Sequence, residues 1–271
     1  MYKFLLTFLS LITLLITQTA HANEWISLEH AIADPHRSAE HKARDQYRHP
    51  LQTLQFFDVK NTHAVLEIWP GADGWYTEIL APYLKDHGQL TVANFGSDPE
   101  TPFFQKNAER FNNKLATNPK LYGKVRITTL QPPADLDIAP EASMDRVLTF
   151  RNVHNWMRND QALAVFKAMF KALKPGGILG VVEHRSAMQT PPDPEAKSGY
   201  VSEDEVIKLA MKAGFEFLAK SEVNANPKDT KDYPEGVWTL PPTLKLGQQD
   251  RDKYIAIGES DRMTLKFVKL K

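Results

Sequence analysis

At 271 residues, 42% hydrophobic and 24% charged, the chain has the size and composition of one or two ordinary globular domains. Lys+Arg and Asp+Glu both number 33, and this balance argues against a nucleic-acid binder, which carries a basic excess. Without cysteine there is no disulfide, no thiolate zinc site, no thiol nucleophile and no lipidated N-terminal Cys.

Met1-Tyr2-Lys3 is a short positive start, and Phe4 to Ile16 is an apolar run. Its length, ~13 residues, falls short of the ~20 that a bilayer span needs. Thr17 to Ala22 then ends in Ala20-His21-Ala22, an Ala-x-Ala cleavage pattern. Together these read as a secretory signal peptide over residues 1–22, cut after Ala22. The mature protein is then expected in the periplasm or outside the cell, with no stable membrane anchor.

Residues 23–60 form an N-terminal helical segment: a helix from Arg37 to Arg48, a break at Pro50 and a second short helix through Phe57. Arg37, His41, Arg44 and Arg48 are spaced 4, 3 and 4, which sets them on one helical face. Such a face is either an anion clamp lying as a lid over a site or a solvated charged surface, with Glu40 pairing Arg44.

From residue 61 strands and helices alternate. Thr62 to Ile68, Gln89 to Phe95, Val125 to Leu130, Arg146 to Phe150 and Ile178 to Val182 read as strands. Helices are expected over Trp75 to Leu84, Pro102 to Ala116 and Gln161 to Leu173, the last stopped by Lys174-Pro175-Gly176-Gly177. Ser202-x-x-Glu205 is a capping box that opens a helix ending at Gly214. Phe215 to Glu222 and Met263 to Lys269 are the last strands. Alternation of this kind gives an α/β, Rossmann-like, doubly wound parallel sheet. Between the last two strands, Asn224 to Asp261 is a 38-residue loop. A loop this long is more often functional than neutral, and it leaves from the ligand-binding edge if its preceding strand is parallel to the others.

Glu67-Ile68-Trp69-Pro70-Gly71-Ala72-Asp73-Gly74 joins the first strand to a helix. Glycine there lets backbone approach a ligand, and the helix start offers free N–H groups. With this turn stand Arg44-Asp45-x-x-Arg48-His49-Pro50, Phe150-Arg151-Asn152-Val153-His154-Asn155-Trp156 and Glu183-His184-Arg185. On these segments the chain resembles the class I S-adenosylmethionine-dependent methyltransferases over roughly residues 30–271, within a branch of exported bacterial proteins. That resemblance implies seven strands with the last antiparallel, S-adenosylmethionine as cofactor, and a small-molecule substrate methylated on O or N. It also implies cofactor contacts at Glu67, Gly71, Gly74, Asn94 and Asn152. The superfamily turn is Glu/Asp-x-Gly-x-Gly-x-Gly; here only Glu67 and Gly71 stand in register, Trp69 and Asp73 hold glycine positions, and Asn94 replaces the usual ribose-binding acid.

His154 follows the fourth strand directly, at the expected carboxyl edge, and is the candidate general base, with Glu183 as its catalytic companion. Arg44, Arg48, His49, Trp156, His184 and Arg185 are candidates for substrate contact or the lid. Glu67, His154, Glu183 and His184 lack tight ligand spacing, so no metal is expected. Hydrolysis by Glu183 and His154 lacks a nucleophile elbow. The alternative to an enzyme is an exported small-molecule binding protein on a degenerate methyltransferase fold, consistent with Trp69, Asp73 and Asn94.

Overall fold

The structure, a computed structural model, describes residues 26–96, 102–188 and 193–271. The leader read in residues 1–22 lies outside the described residues. One sheet contains β1 (Ala64–Ile68), β2 (Gln89–Asn94), β3 (Arg126–Thr129), β4 (Met144–Phe150), β5 (Leu173–His184), β6 (Glu216–Ser221) and β7 (Arg262–Val268). Their spatial order is β3-β2-β1-β4-β5-β7-β6. Strands β1 to β5 are parallel, and β7 runs antiparallel between β5 and β6. The expected seven-stranded, Rossmann-like α/β sheet with an antiparallel last strand is therefore present.

Central strands are apolar on both faces because helices cover both. Val65, Leu66 and Ile68 of β1 are fully buried, as are Val147 and Leu148 of β4. One layer packs α8 (Val153–Arg158), α9 (Ala162–Ala172) and α10 (Glu203–Lys212) through Trp156, Phe166 and Val206. The opposite layer packs α5 (Thr77–Leu84), α6 (Pro102–Thr117) and α7 (Pro119–Tyr122), through Leu80, Phe111 and Tyr122. Here it also takes α1 (Leu28–Ala33) and α4 (Pro50–Phe56), so the N-terminal helices share the main core through Leu28 and Leu54. Phe57 lies directly on β5, where a Cβ at Gly180 would come within 2.7 Å of its ring.

Several local expectations shift. The single helix read over Arg37–Arg48 is two short ones, α2 (Ala39–Ala43) and α3 (Asp45–Arg48). Arg37 lies before both, and its buried guanidinium holds Asp45 by two bonds of 2.7 and 2.8 Å, a contact a straight helix cannot make. His49 turns the chain at φ 39°, and Pro50 opens α4 where its missing N–H costs nothing. Lys174-Pro175-Gly176-Gly177 stops α9 as expected and also extends β5 back beyond its expected start at Ile178, because Gly176 donates to the Lys269 carbonyl at 2.6 Å and Lys269 donates back to Gly177 at 3.0 Å. Ser202 stands at the start of α10, yet its side chain makes no capping bond.

The long segment before β7 is folded, with a 3-10 turn at Gly236–Thr239 and α11 (Arg251–Ile257). Strand β6 points the same way as β5, so this segment leaves from the carboxyl edge and returns across it. Asn226 holds it together by donating to the carbonyls of Ile257 and Glu259. No helix among the described residues is long and apolar enough to cross a membrane.

Candidate active site

Strand order reverses between β1 and β4, and the crevice beyond their carboxyl ends is where open α/β sheets bind ligands. A cavity of about 120 Å³ opens there, lined by Glu67, Trp69, Gly71, Tyr76, Phe150, Arg151 and Asn152. Gly71 sits at φ +74° with open space where a side chain would be. Asn152 ties the two strand ends together, donating to the carbonyls of Ile68 at 3.0 Å and Trp69 at 3.3 Å. Glu67 is buried and accepts from Thr77 Oγ1 at 2.6 Å. Burial pushes its carboxyl up to about 7, despite the Thr77 bond and nearby Lys114.

Trp69 covers the edge beside this cavity. Its backbone takes φ 45°, and its indole N–H donates to the Leu130 carbonyl, just past β3, at 3.0 Å. The ring packs on Phe95, Phe104 and Trp156 at centroid distances of 4.7, 5.5 and 5.7 Å. It therefore spans the carboxyl ends from β1 to β3. Asn94 is buried at the end of β2, 2% exposed; its Oδ1 accepts the Phe95 N–H and its Nδ2 has no partner among the described residues.

On the other side of β4 the site is charged. Glu183, fully buried, accepts from the backbone N–H groups of Val153, His154 and His184 at 2.6, 3.3 and 2.8 Å. Its Oε1 also lies 3.0 Å from His154 Nδ1. A carboxylate there fixes the proton on Nδ1 and leaves His154 Nε2 as an acceptor facing the neighbouring cavity. His184 Nδ1 pairs with Ser260 Oγ at 2.5 Å. Burial, then His154, Arg262 and Arg151, push the His184 imidazole well below its usual range, so it is neutral.

That cavity, about 250 Å³, is lined by Arg44, Arg48, Arg151, Arg262 and Glu259, with Trp238 and Pro241–Thr243 from the long segment. Glu259 accepts from Arg44 Nε at 2.5 Å and Arg48 Nε at 3.3 Å, and also from Arg262 Nη2. Burial alone would raise its carboxyl, but Arg262, Arg48 and Arg44 hold it well below the usual range.

The structure brings His154, His184, Arg44 and Arg48 to one cavity, and Glu67, Gly71 and Asn152 to the other. Other candidates lie elsewhere. Gly74 packs against α6, where a Cβ would meet Phe111 at 2.7 Å, and lines neither cavity. Trp156 is a fully buried core ring, and His49 is the left-handed link between α3 and α4. Arg185 clamps the long segment, pairing Asp261 at 3.0 Å and Glu222 at 2.7 Å. Of the four basic residues read on one face, Arg37 is spent on Asp45 and His41 on Glu78. Sequence reasoning missed Arg151, Trp238, Glu259, Ser260 and Arg262, although Arg151 stands inside the quoted Phe150–Trp156 segment.

His154, Glu183 and His184 do converge, with one ligand atom of each within 4.8 Å of the others, so sequence spacing was a poor guide here. Their chemistry is unsuited to a cation. Glu183 is occupied by four N–H donors, and the adjoining cavity carries four guanidiniums. A wider cleft of about 410 Å³, lined by Met157, Ser186, Tyr200, Glu205 and Lys231, adjoins this cluster on the Tyr200 side, where the Tyr200 and His184 ring centroids are 6.5 Å apart.

The chain matches no protein-family model and no curated protein. Solved structures match it broadly. A SAM-dependent methyltransferase from Aquifex aeolicus superposes at a TM-score of 0.56, with 15% identity over 84% of this chain and 93% of that one. The chain has the class I methyltransferase fold. The [4+2]-cyclase SpnF is similar too, at 0.54 and 16% identity over 82% and 80% of the two chains. So is the S-adenosylmethionine-dependent methyltransferase SibL, at 0.51 and 15% identity over 86% of this chain and 57% of that one. One fold thus carries names of different chemistries.

S-adenosylmethionine fits this edge only in part. Its amino-acid end suits the open turn at Gly71 beside Glu67. Its nucleoside, which the resemblance directs to Asn94, meets the Trp69 ring and a buried amide that lines no cavity described above. The 120 Å³ at Gly71 is also well under the ~300–1,000 Å³ of ordinary small-molecule pockets. In this conformation the whole cofactor does not fit.

Proposed function

We propose that this chain is an enzyme acting on a small molecule at the carboxyl edge of its sheet, with His154 as the base that takes a proton from the reacting group. The His154–Glu183 pair carries the proposal: Glu183 orients the imidazole and Nε2 is left toward the arginine-lined cavity. A hydroxyl, phenol or amine within hydrogen-bond reach of Nε2 loses its proton there as it reacts, and Glu183 offsets the charge formed on the ring. Neutral His184 beside it is an additional donor or acceptor for the same substrate.

A second, narrower reading is methyl transfer from S-adenosylmethionine to that nucleophile. The fold, the open turn at Gly71 and the buried Glu67 favour it; the Trp69 ring stands against it. We further propose that the protein works outside the cytoplasm, on the strength of its first 22 residues. Material recovered from the periplasm should begin at Asn23; a cytosolic chain still beginning at Met1 would refute this.

To test the chemistry, small hydroxy, phenolic and amino compounds are incubated with the protein, with and without S-adenosylmethionine, and followed by mass spectrometry. Conversion without the cofactor supports the broader proposal alone. Adenosylhomocysteine released in step with a methylated product supports the narrower one. In either case His154→Ala should lower the rate ~10²–10⁴-fold. An undiminished rate in that variant removes the base, and tight ligand retention without conversion in any arm makes the protein a binder.

A further inference from the structure

The cavity beside His154 holds more positive charge than its own carboxylate neutralises. Four guanidiniums, from Arg44, Arg48, Arg151 and Arg262, line it with Glu259. Three of them share that one carboxylate, and Arg151 makes no salt bridge among the described residues. Neither histidine supplies a negative charge to balance this: His184 is neutral, and His154 offers only an imidazole nitrogen. Arg48 and Arg262 are only 3% and 2% exposed, and Arg48 Nη1 and Arg262 Nε have no hydrogen-bond partner among the described residues.

Burying a guanidinium without acceptors is costly, and a structure retains such a group where something outside the chain completes it. Clamping the N-terminal helices to the long segment explains only part of the set. Arg44 and Arg48 come from before β1, Glu259 and Arg262 from the approach to β7, and their pairing joins the two. Arg151 takes no part in that clamp. It sits at the end of β4 with φ 63°, a strained backbone for a side-chain-bearing residue, and it lines both this cavity and the one at Gly71. Planar guanidiniums in a partly enclosed pocket suit oxyanions, which they grip through paired N–H donors.

We infer that this cavity binds an oxyanion, a phosphate or carboxylate group carried by the substrate, and that Arg151 is one of its ligands. The inference rests on the proposal that this cavity is the working site, and it names the class of substrate: a small anionic molecule whose hydroxyl, phenol or amine lies beside His154. Two negative charges suit the surplus better than one, so a phosphate monoester or a dicarboxylate is favoured over a monocarboxylate. The same charge excludes cationic substrates from the cavity.

Calorimetric titration tests this without any activity assay. The purified chain is titrated with inorganic phosphate, and separately with malonate, at constant ionic strength set by sodium chloride. Saturable one-to-one binding of phosphate or malonate is expected, weakened at least tenfold by Arg151→Gln and unchanged by Lys120→Gln on exposed α7. Arg151→Gln leaves the Glu259 clamp intact, and its melting temperature without anion should stay near that of the wild type. The tighter of the two anions identifies the group the substrate carries. Heats that never saturate, or saturable binding that Arg151→Gln leaves untouched, overturn the inference. If both anions fail while His154→Ala still abolishes conversion, the base stands and the arginines are a structural clamp only.

Discussion

Arg151 lines two cavities on the carboxyl edge of this sheet, and the two differ sharply in chemistry. At the end of β1, where the fold leaves room for a ligand, aromatic rings from Trp69, Phe95, Phe104 and Trp156 pack together and about 120 Å³ remains. Beyond β4, about 250 Å³ is walled by arginines and two histidines. The first place is stabilised by burying apolar surface; the second keeps charges that water or a ligand must satisfy. The contrast teaches that the crevice at a strand-order reversal can close by apolar packing while its neighbour stays open and charged.

The charged side should be the more fragile. Glu259→Ala leaves the buried guanidiniums of Arg48 and Arg262 and the part-buried one of Arg44 facing one another, and removing one partner of a buried ion pair typically costs ~3–5 kcal/mol. Denaturant unfolding should show that loss, and high salt should restore part of it. A change below about 1 kcal/mol would mean that solvent already screens the cluster, and the contrast between the two sides would weaken.

Trp69→Gly attacks the packed side. Loss of a large buried aromatic costs ~3–5 kcal/mol, of which ~1–2 kcal/mol returns because glycine accepts φ 45° without strain. Calorimetry should detect adenosylhomocysteine binding in this variant and none in the wild type. Micromolar binding by the wild type would show that the ring moves aside, and methyl transfer would become the leading reaction.

Glu67 gives a pH signature. Its carboxyl titrates at about 7 in the folded chain because burial favours the neutral form, whereas an unfolded glutamate titrates near 4.5. The folded chain therefore holds a proton that the unfolded one has lost, and stability falls as pH rises from about 4.5 through 7. Glu67→Gln keeps an acceptor for Thr77 and cannot ionise. It should be more stable than the wild type by up to ~3 kcal/mol at pH 8 and by almost nothing at pH 4. Equal curves at both pH values would mean that Glu67 ionises without cost, next to a site wet enough for a cationic ligand.

The smallest effect separates the two glycines of the turn. Gly71→Ala has open space but a left-handed backbone, so its cost should be ~1–2 kcal/mol. Gly74→Ala adds a collision with Phe111 at 2.7 Å and should be worse. If the order reverses, Gly71 rather than Gly74 is the packing residue.

Most of the sheet was legible because its central strands are buried on both faces and carry largely apolar runs, as in Ile178 to Val182 and in Val65 to Ile68, where Glu67 is the one polar residue. The helix called over Arg37–Arg48 was not, since its true break depends on Asp45 folding back to Arg37. His154 was found because it directly follows a strand end. Glu259 and Arg262 were not, because nothing within their own segment marks them; their meaning lies in residues more than two hundred positions earlier.

The reversed last strand rests on the family resemblance, whereas the residues by themselves determined the strand–helix alternation, the parallel sheet and the position of His154 directly after a strand end. These follow from local periodicity and from chain order, which one dimension records. Tertiary structure alone decided that Trp69 lies across three strand ends, that Glu183 holds His154, and that four arginines gather around Glu259. Those outcomes depend on which distant side chains share a buried volume, and burial is what makes their charges costly to leave unpaired.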